Sequence, residues 1–372
     1  MPPGTSDEQE HMSSPPTAGQ DTDPPTNAAD APAGSGRHRA EKAPGWIKRH
    51  KVITALLLVL LLLIVSIGGY VLWLYLKLGN IDRFQGLDAS GRPDPAPGES
   101  LNILLLGEDG NGKVQRSDTI IVAHIPEDRE SAYLVSIPRD SYVEIYDENN
   151  ESQGMNKINA SFSYYGARGT QATVEQLTNI RIDHVAIMNW DGFKDLSTAL
   201  NGVRVYIPET FHDSSQDIDW EKGWEELEGK RALQYVRTRH GLSDGDFGRI
   251  ARQQNFMRSM MNKLINEGMT SPTKLPGVLD AITSNLDVDD DWDNGDIRDL
   301  AFNMRGIDSD KVEFLTAPMS GYDDTDVGSV VVLNDRRCNK LWRALRGDGK
   351  LTIDDYADRF KGDALGPPRQ VN

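Results

Sequence analysis

The sequence contains a single cysteine, Cys338, in 372 residues. No disulfide can form within the chain, so the fold must stand on its hydrophobic core in any redox compartment. Positive charge is also scarce: 40 Lys and Arg face 57 Asp and Glu, a formal net charge of −17. A general nucleic-acid binder needs a basic surface, so that class is set aside, although a local basic pocket is not. There is no Cys/His spacing of the zinc type, no G-x-S-x-G elbow and no Walker A loop. His184 and His240 have no evident partner along the sequence and read as core or surface residues.

Uncharged apolar runs are short, with one exception. Residues 52–76 read VITALLLVLLLLIVSIGGYVLWLYL. At roughly 1.5 Å per residue a helix of this length exceeds the roughly 30 Å hydrocarbon core of a bilayer. Tyr70, Trp73 and Tyr75 stand near its end, where an aromatic belt belongs, and Arg37, Arg39, Lys42, Lys48, Arg49 and Lys51 precede it against the single acid Glu41. The positive-inside rule then predicts a single-pass signal anchor in the cell membrane, with a cytoplasmic N-terminus and everything from residue 77 exported. The run is too long for a signal-peptide core, and no A-x-A site follows it. Residues 1–51, rich in Pro, Gly, Ser and Asp, are expected to form a disordered cytoplasmic tail. Residues 77–100 are expected to be a linker, 101–350 one extracytoplasmic domain with its core motifs over 101–265, and 351–372 a frayed tail.

Within the exported part, strands are predicted at 101–107, 118–125, 132–137, 183–190 and 202–208, and helices near 170–179, 191–200, 228–237 and 246–267. Further on, helices near 273–284, 295–305 and 335–346 flank a strand at VEFLTAP. The alternation predicts an α/β domain with a mixed central sheet sandwiched by helices, preceded by the one transmembrane helix. The acidic stretch LDVDDDWDNGD lacks the glycine and terminal glutamate of an EF-hand loop and reads as solvated surface.

Four polar clusters fall at the ends of these elements. They are Glu108-Asp109, Arg116-Ser117-Asp118, Arg139-Asp140, and Arg237-x-Arg239 followed by Asp246, Arg249, Arg252 and Gln253. Any one alone reads as a loop ion pair or a solvated helix face, but surface pairs need not all gather at element ends. Arg249, Arg252 and Gln253 share one helical face, which overlaps the apolar stripe of Phe256, Met257, Met260, Met261 and Leu264. Arginines directed inward require an anion. With Asp246 at an expected N-cap, the helix start adds partial positive charge, and together these describe a pocket for phosphate or pyrophosphate. Asp109 and Asp118, at the two ends of one loop, fit a Mg²⁺ that keeps waters and bridges to substrate phosphates.

The stretches LNILLLGEDGNGKVQRSDTIIVAHI, LVSIPRDSYVEI, MNKINASFSYYG, HVAIMNWDGFKDLSTALNGVRVYIP and GKRALQYVRTRHGLSDGDFGRIARQQ, in that order, resemble the LytR–CpsA–Psr family of cell-wall proteins over roughly residues 101–265. The resemblance implies a Mg²⁺-dependent phosphotransferase. Such enzymes move an anionic glycopolymer, such as teichoic acid, from an undecaprenyl-pyrophosphate carrier to peptidoglycan. It also implies roles: Asp109 and Asp118 as metal ligands; Arg139, Arg239, Arg249 and Gln253 in contact with the pyrophosphate, with Arg116, Arg237, Asp246 and Arg252 nearby. Arg116, Arg139, Asp140 and Arg239 are the expected catalytic set, and Asp109 or Asp140 could take the acceptor proton. A family-type prenyl tunnel could draw on Phe162, Tyr164, Tyr165, Phe193 and Met260, each of which fits ordinary core packing equally well. Glu108 departs from the small or apolar residue usual before the metal aspartate. Pyrophosphate hydrolysis, or non-catalytic binding of prenyl phosphates or wall polymer, are the competing readings.

Overall fold

A computed structural model describes residues 60–66, 68–69, 72–73, 76–77, 79, 81–96, 98–108, 116–238, 245–268, 271, 273–304, 307 and 311–347. The chain divides into two compact units, Met1–Leu63 and Ile64–Asn372. Of the first, only residues 60–63 are described, helical and exposed. Among the described residues no helix is long and apolar enough to cross a membrane, and the anchor expected at 52–76 lies partly outside them.

The second unit opens with β1 (Asp82–Phe84), β2 (Leu101–Glu108), β3 (Ser117–Ile125), β4 (Ala132–Ile137) and a hairpin of β5 (Tyr142–Tyr146) and β6 (Ser152–Lys157). Then come α1 (Ile158–Thr178), β7 (His184–Asn189), α2 (Trp190–Ala199), β8 (Val203–Ile207), β9 (Phe211–Asp213), β10 (Ile218–Trp220), β11 (Gly223–Leu227), α3 (Gly229–Arg237) and α4 (Gly245–Lys263). The last part holds α5 (Leu275–Thr283), β12 (Leu286–Asp289), α6 (Asn294–Met304), β13 (Val312–Thr316), the hairpin β14 (Met319–Thr325) and β15 (Gly328–Leu333), and α7 (Asp335–Arg346).

Seven strands form one mixed sheet in the order β1-β12-β7-β2-β3-β4-β13. Side chains alternate across it, as a strand's two-residue period requires. Leu104, Leu106, Ile120, Val122, Val135 and Ile137 face one core with Ile158, Phe162 and Val174 of α1 and Leu341, Trp342 and Leu345 of α7. Ile103, Ile121, Ala123 and Leu134 face the other, against Met257 and Met261 of α4 and Leu300 and Met304 of α6. The predicted mixed sheet between helical layers is therefore observed. A smaller core beside it joins β8–β11 to α3 and to Phe256.

Three expectations are corrected. The stretch read as a linker supplies β1, which pairs parallel with β12, and buries Ile81 and Leu87. The acidic stretch is partly β12 itself, antiparallel to β7, with Val288 fully buried and Asp289 accepting a hydrogen bond from the Val185 amide at 2.6 Å. The helix expected at 170–179 starts twelve residues earlier, at Ile158. It bends at Gly166, whose φ of +65° a side chain would strain.

Strand direction sets where function can sit. β2 runs parallel to β7 and antiparallel to β3; β3 is antiparallel to β4, which runs parallel to β13. The carboxyl ends of β2, β4, β7 and β13 and the start of β3 therefore share one sheet edge. In open α/β sheets ligands bind outside that edge.

Candidate functional site at the carboxyl edge of the sheet

Five sequence segments converge there. β2 ends in Gly107-Glu108 at a register shift against β3. A Cβ on Gly107 would lie 2.9 Å from that of Thr119, so glycine permits the close strand approach that precedes the bulge. Glu108 is half-buried. Arg116 is exposed just ahead of β3, and Ser117 and Asp118 open that strand, one buried and one half-buried.

Beyond β4, the backbone turns through Pro138-Arg139-Asp140, with the Ser141 amide donating to the Pro138 carbonyl at 2.9 Å. The start of α1 is tied to the same turn: its Ile158 and Asn159 amides donate to the carbonyls of Ser141 and Arg139. Arg139 is thereby aimed along the edge. Its Nη1 donates to Asp118 Oδ1, and its Nε lies 3.4 Å from Asp140 Oδ2. Lys157 Nζ continues the chain, 3.4 Å from Asp140 Oδ1. The side chains of Asp118, Arg139, Asp140 and Lys157 are 12–24% exposed, where ion pairing is less screened than at the open surface.

The end of β7 adds a third wall. Asn189 caps α2 by accepting from the Gly192 amide at 2.9 Å. Trp190 follows, with the Arg237 guanidinium 5.5 Å from its ring centroid, a cation–π distance. Its buried indole N–H has no acceptor among the described residues.

α4 supplies the buried arginines. Arg249 is 3% exposed and Arg252 is fully buried, as their face predicted. Arg252 Nη2 donates to the Thr238 carbonyl at 2.8 Å, and Gln253 Nε2 to the Val236 carbonyl at 3.3 Å. Both residues therefore grip the end of α3. Gln254 fastens α4 to the sheet edge: its Nε2 reaches Ser136 Oγ at 3.0 Å, the Leu315 carbonyl at 3.0 Å and Thr316 Oγ1 at 2.9 Å. Asp213 buttresses α3 through Gln216, whose amide reaches the Gln234 carbonyl and Thr238 Oγ1. Burial alone would raise the Asp213 carboxyl; hydrogen bonds from Ser215, Gln216 and Thr238 outweigh it and hold the pKa below its ordinary value. Tyr235, on α3, is pushed well above the ordinary tyrosine range by burial.

The sequence-predicted set is thus partly assembled. Asp118, Arg139 and Asp140 meet in one ion-pair chain; Arg252 and Gln253 meet on α3; Arg237 stands over Trp190. Asp109 and Arg239 lie outside the described residues, as does the Asp246 side chain. α4 begins at Gly245, so Asp246 falls inside the first turn rather than before it. The five tunnel candidates separate: Phe162 and Tyr165 pack on the α1 face of the sheet, Tyr164 is exposed, and Phe193 and Met260 pack with the smaller core. Lys157, Trp190 and Gln254 carried no individual role from sequence. The first two sit at element boundaries like the clusters that were found, and that position is the signal that could have marked them.

Among the described residues no three His, Cys, Asp or Glu side chains converge as a metal site. Asp118 offers the hard oxygen donors that Mg²⁺ prefers, in a setting rich in phosphate-binding groups, so the donor chemistry present fits that ion.

The LytR_cpsA_psr family model matches residues 81–347. The chain belongs to the LytR_cpsA_psr family. The match begins at Ile81, in agreement with the entry of β1 into the sheet. Among LytR_cpsA_psr relatives, the cell wall biosynthesis protein LcpA of Corynebacterium glutamicum is 30% identical over 294 residues, 71% of this chain and 55% of that protein. The chain therefore spans about half the length of that relative. The polyisoprenyl-teichoic acid–peptidoglycan teichoic acid transferase TagU of Halalkalibacterium halodurans is 33% identical over 268 residues, covering 69% of this chain and 85% of that one. The solved structure of TagT bound to LIIa-WTA is similar at a TM-score of 0.57 and 25% identity, over 71% of this chain and 99% of that chain.

Proposed function

We propose that this protein transfers an anionic glycopolymer from an undecaprenyl-pyrophosphate carrier to peptidoglycan, forming a phosphodiester and releasing undecaprenyl phosphate. The observation that carries this reading is Arg139. It is held between two carboxylates at the carboxyl edge of the sheet, on the side where α4 brings Arg249 and Arg252. Family membership and the transferase names of the relatives support the same chemistry.

In this reading, Arg139, Arg237, Arg249 and Arg252 gather the pyrophosphate and offset its charge, which is the main requirement of phosphoryl transfer. An acceptor hydroxyl attacks the phosphorus bonded to the sugar. The new O–P bond forms as the bond to the bridging oxygen breaks, the hydroxyl proton is released, and the electron pair leaves on undecaprenyl phosphate. Asp118, with Asp109, would hold a Mg²⁺ that supplies further charge neutralisation at the phosphates. With donor bound, Arg139 exchanges carboxylate partners for phosphate oxygens, so the ion pairs keep the guanidinium oriented beforehand. The apolar run 52–76 and its basic flank support a membrane anchor that keeps this edge near a lipid-linked donor.

The test uses the full chain in detergent with a purified lipid-linked donor, with and without peptidoglycan. Arg139→Ala should lower transfer by at least 10³-fold, the lower end for removing an arginine that stabilises transition-state charge, while the melting temperature stays within a few degrees. Undiminished transfer would overturn the assignment. Product release that ignores peptidoglycan would point to hydrolysis instead. Added EDTA should stop transfer and Mg²⁺ restore it.

A further inference from the structure

A basic pocket lies at the opposite edge of the sheet. It is a cavity of about 420 Å³ enclosed by the segment 91–96, the turn after α1, the first residues of β2 and the last turn of α7. The two edges are separated by the length of β2, about 23 Å for eight residues at strand spacing. This cavity therefore cannot be part of the site at Arg139.

Three guanidinium groups line it: Arg92, Arg181 and Arg346. Arg92 is fully engaged. It grips the buried Glu175 through two nitrogens, at 2.7–3.2 Å, and donates to the carbonyls of Leu87 and Ile182. The other two are not. Arg181 has one long contact, to the Pro93 carbonyl at 3.5 Å, and Arg346 caps the end of α1 through a single bond to the Thr178 carbonyl. Among the described residues no carboxylate lies within ion-pair distance of either; Asp183, which accepts from the Asn102 main-chain amide at 2.7 Å, attracts Arg181 only from beyond that distance. Both arginines are half-buried, in a chain of net charge −17. Burial, together with the neighbouring Arg343, makes the Arg346 charge harder to hold, a cost that an anion would relieve.

Asn102 provides an independent sign. It lines the cavity and is 1% exposed. One end of its amide is taken by the His124 ring at 2.8 Å, and the other has no partner among the described residues. Such buried, unsatisfied amides are uncommon and mark a missing hydrogen-bond partner. The acid on the lining, Asp94, is exposed.

We infer that this cavity binds an oxyanion carried on a sugar-sized group, the phosphate or carboxylate taken by Arg181 and Arg346 and the remaining polar surface meeting hydroxyls. Guanidinium forks suit phosphate and carboxylate oxygens. The volume falls in the range of small-ligand pockets of roughly 300–1,000 Å³, far above what a bare anion fills. The inference stands apart from the transfer reaction, since it requires binding alone.

The experiment is calorimetry on the full chain in detergent, with glucose 6-phosphate, glucuronate, glucose and inorganic phosphate as probes. Glucose 6-phosphate should bind, glucuronate should also bind, and both should weaken at least tenfold in Arg181→Gln and further in Arg181→Gln/Arg346→Gln. Arg181 makes one long contact, so its single variant keeps the fold and the test does not rest on the double variant. Binding should persist in Arg139→Ala. Absence of glucose 6-phosphate binding, or binding unchanged by Arg181→Gln, would overturn the proposal. So would its loss in Arg139→Ala, which would place the ligand at the other edge. Glucose binding as tightly as its phosphate would remove the anion, and inorganic phosphate binding as tightly as the sugar phosphate would remove the sugar.

Discussion

Gln254 is the point at which the fold and the candidate site can be tested together. Its side chain is 4% exposed and its single NH₂ group serves three oxygens on β4, β13 and the strand end. Two amide hydrogens can make two good bonds at a time, the third oxygen sharing. Gln254→Leu keeps a similar volume but strands these acceptors away from water. At about 1–1.5 kcal/mol for each bond lost, the cost is about 2–3 kcal/mol. A domain of this size shifts by roughly 2–4 °C per kcal/mol, so the melting temperature should fall by roughly 4–12 °C. Gln254→Glu should also destabilise at neutral pH, because it buries a carboxylate against the Leu315 carbonyl, with only the Ser136 and Thr316 hydroxyls able to turn and donate to it. Transfer should drop further than stability explains: α4 would lose its fastening to the edge that holds Arg139, and a misplacement of about 1 Å can cost about 10²-fold. The measurements are a thermal melt of each variant in detergent and turnover at a temperature where all are folded. A Glu variant as stable as wild type would refute the claim that this amide acts as donor to the strand ends.

Other outcomes follow from the same contacts. Arg92→Ala leaves Glu175 as a charge 1% exposed, and loss of one partner from such a pair costs about 3–5 kcal/mol; Arg92→Met/Glu175→Met should recover much of that loss in a denaturation experiment. A near-wild-type melt for Arg92→Ala would mean that residues 81–96 do not support the domain. Asp213 titrates below its ordinary value of 3.8 in the folded state, so its contribution is present above that pH and lost as pH falls through the lowered pKa. The stability gap between wild type and Asp213→Asn should be constant from pH 7 to 5 and close below pH 4; a gap that persists in acid would contradict this.

What the sequence made legible is what local patterns encode. β2, β3, β4 and β7 are short apolar runs bounded by polar residues, and their alternating burial was implicit in composition. Arg249 and Arg252 were legible because a helical face is fixed by spacing, and the structure buries both. β1 and β12 were missed for a common reason. DRF and LDVD are polar and short, and only pairing with each other and with β7 makes them strands. The early start of α1 was hidden by Gly166, which breaks the helical pattern locally while the tertiary fold continues the helix on both sides. Lys157 and Trp190 have no distinguishing neighbours in sequence. Their roles arise from partners seventeen and forty-seven residues away, Asp140 and Arg237.

Charge explains why the arginines tolerate their positions. In a chain with an acidic excess, a buried guanidinium is stable only where the fold supplies anions or carbonyls in fixed geometry. At the carboxyl edge the supply is Asp118 and Asp140 for Arg139, and the spent carbonyls of α3 for Arg252 and Gln253. Those carbonyls are helix-end acceptors that would otherwise need water. The arrangement therefore satisfies α3's last turn and orients α4's polar face with the same bonds. Removing Thr238 or its helix end would misdirect Arg252 even though no phosphate contact had been touched. At the opposite edge the same logic is half complete: Arg92 holds its carboxylate at hydrogen-bond distance, while Arg181 and Arg346 hydrogen-bond backbone carbonyls and Arg181 meets the Asp183 carboxylate only through space. Arg139 must therefore give up carboxylate partners to take a phosphate, whereas Arg181 and Arg346 can take an anion without breaking an ion pair at hydrogen-bond distance.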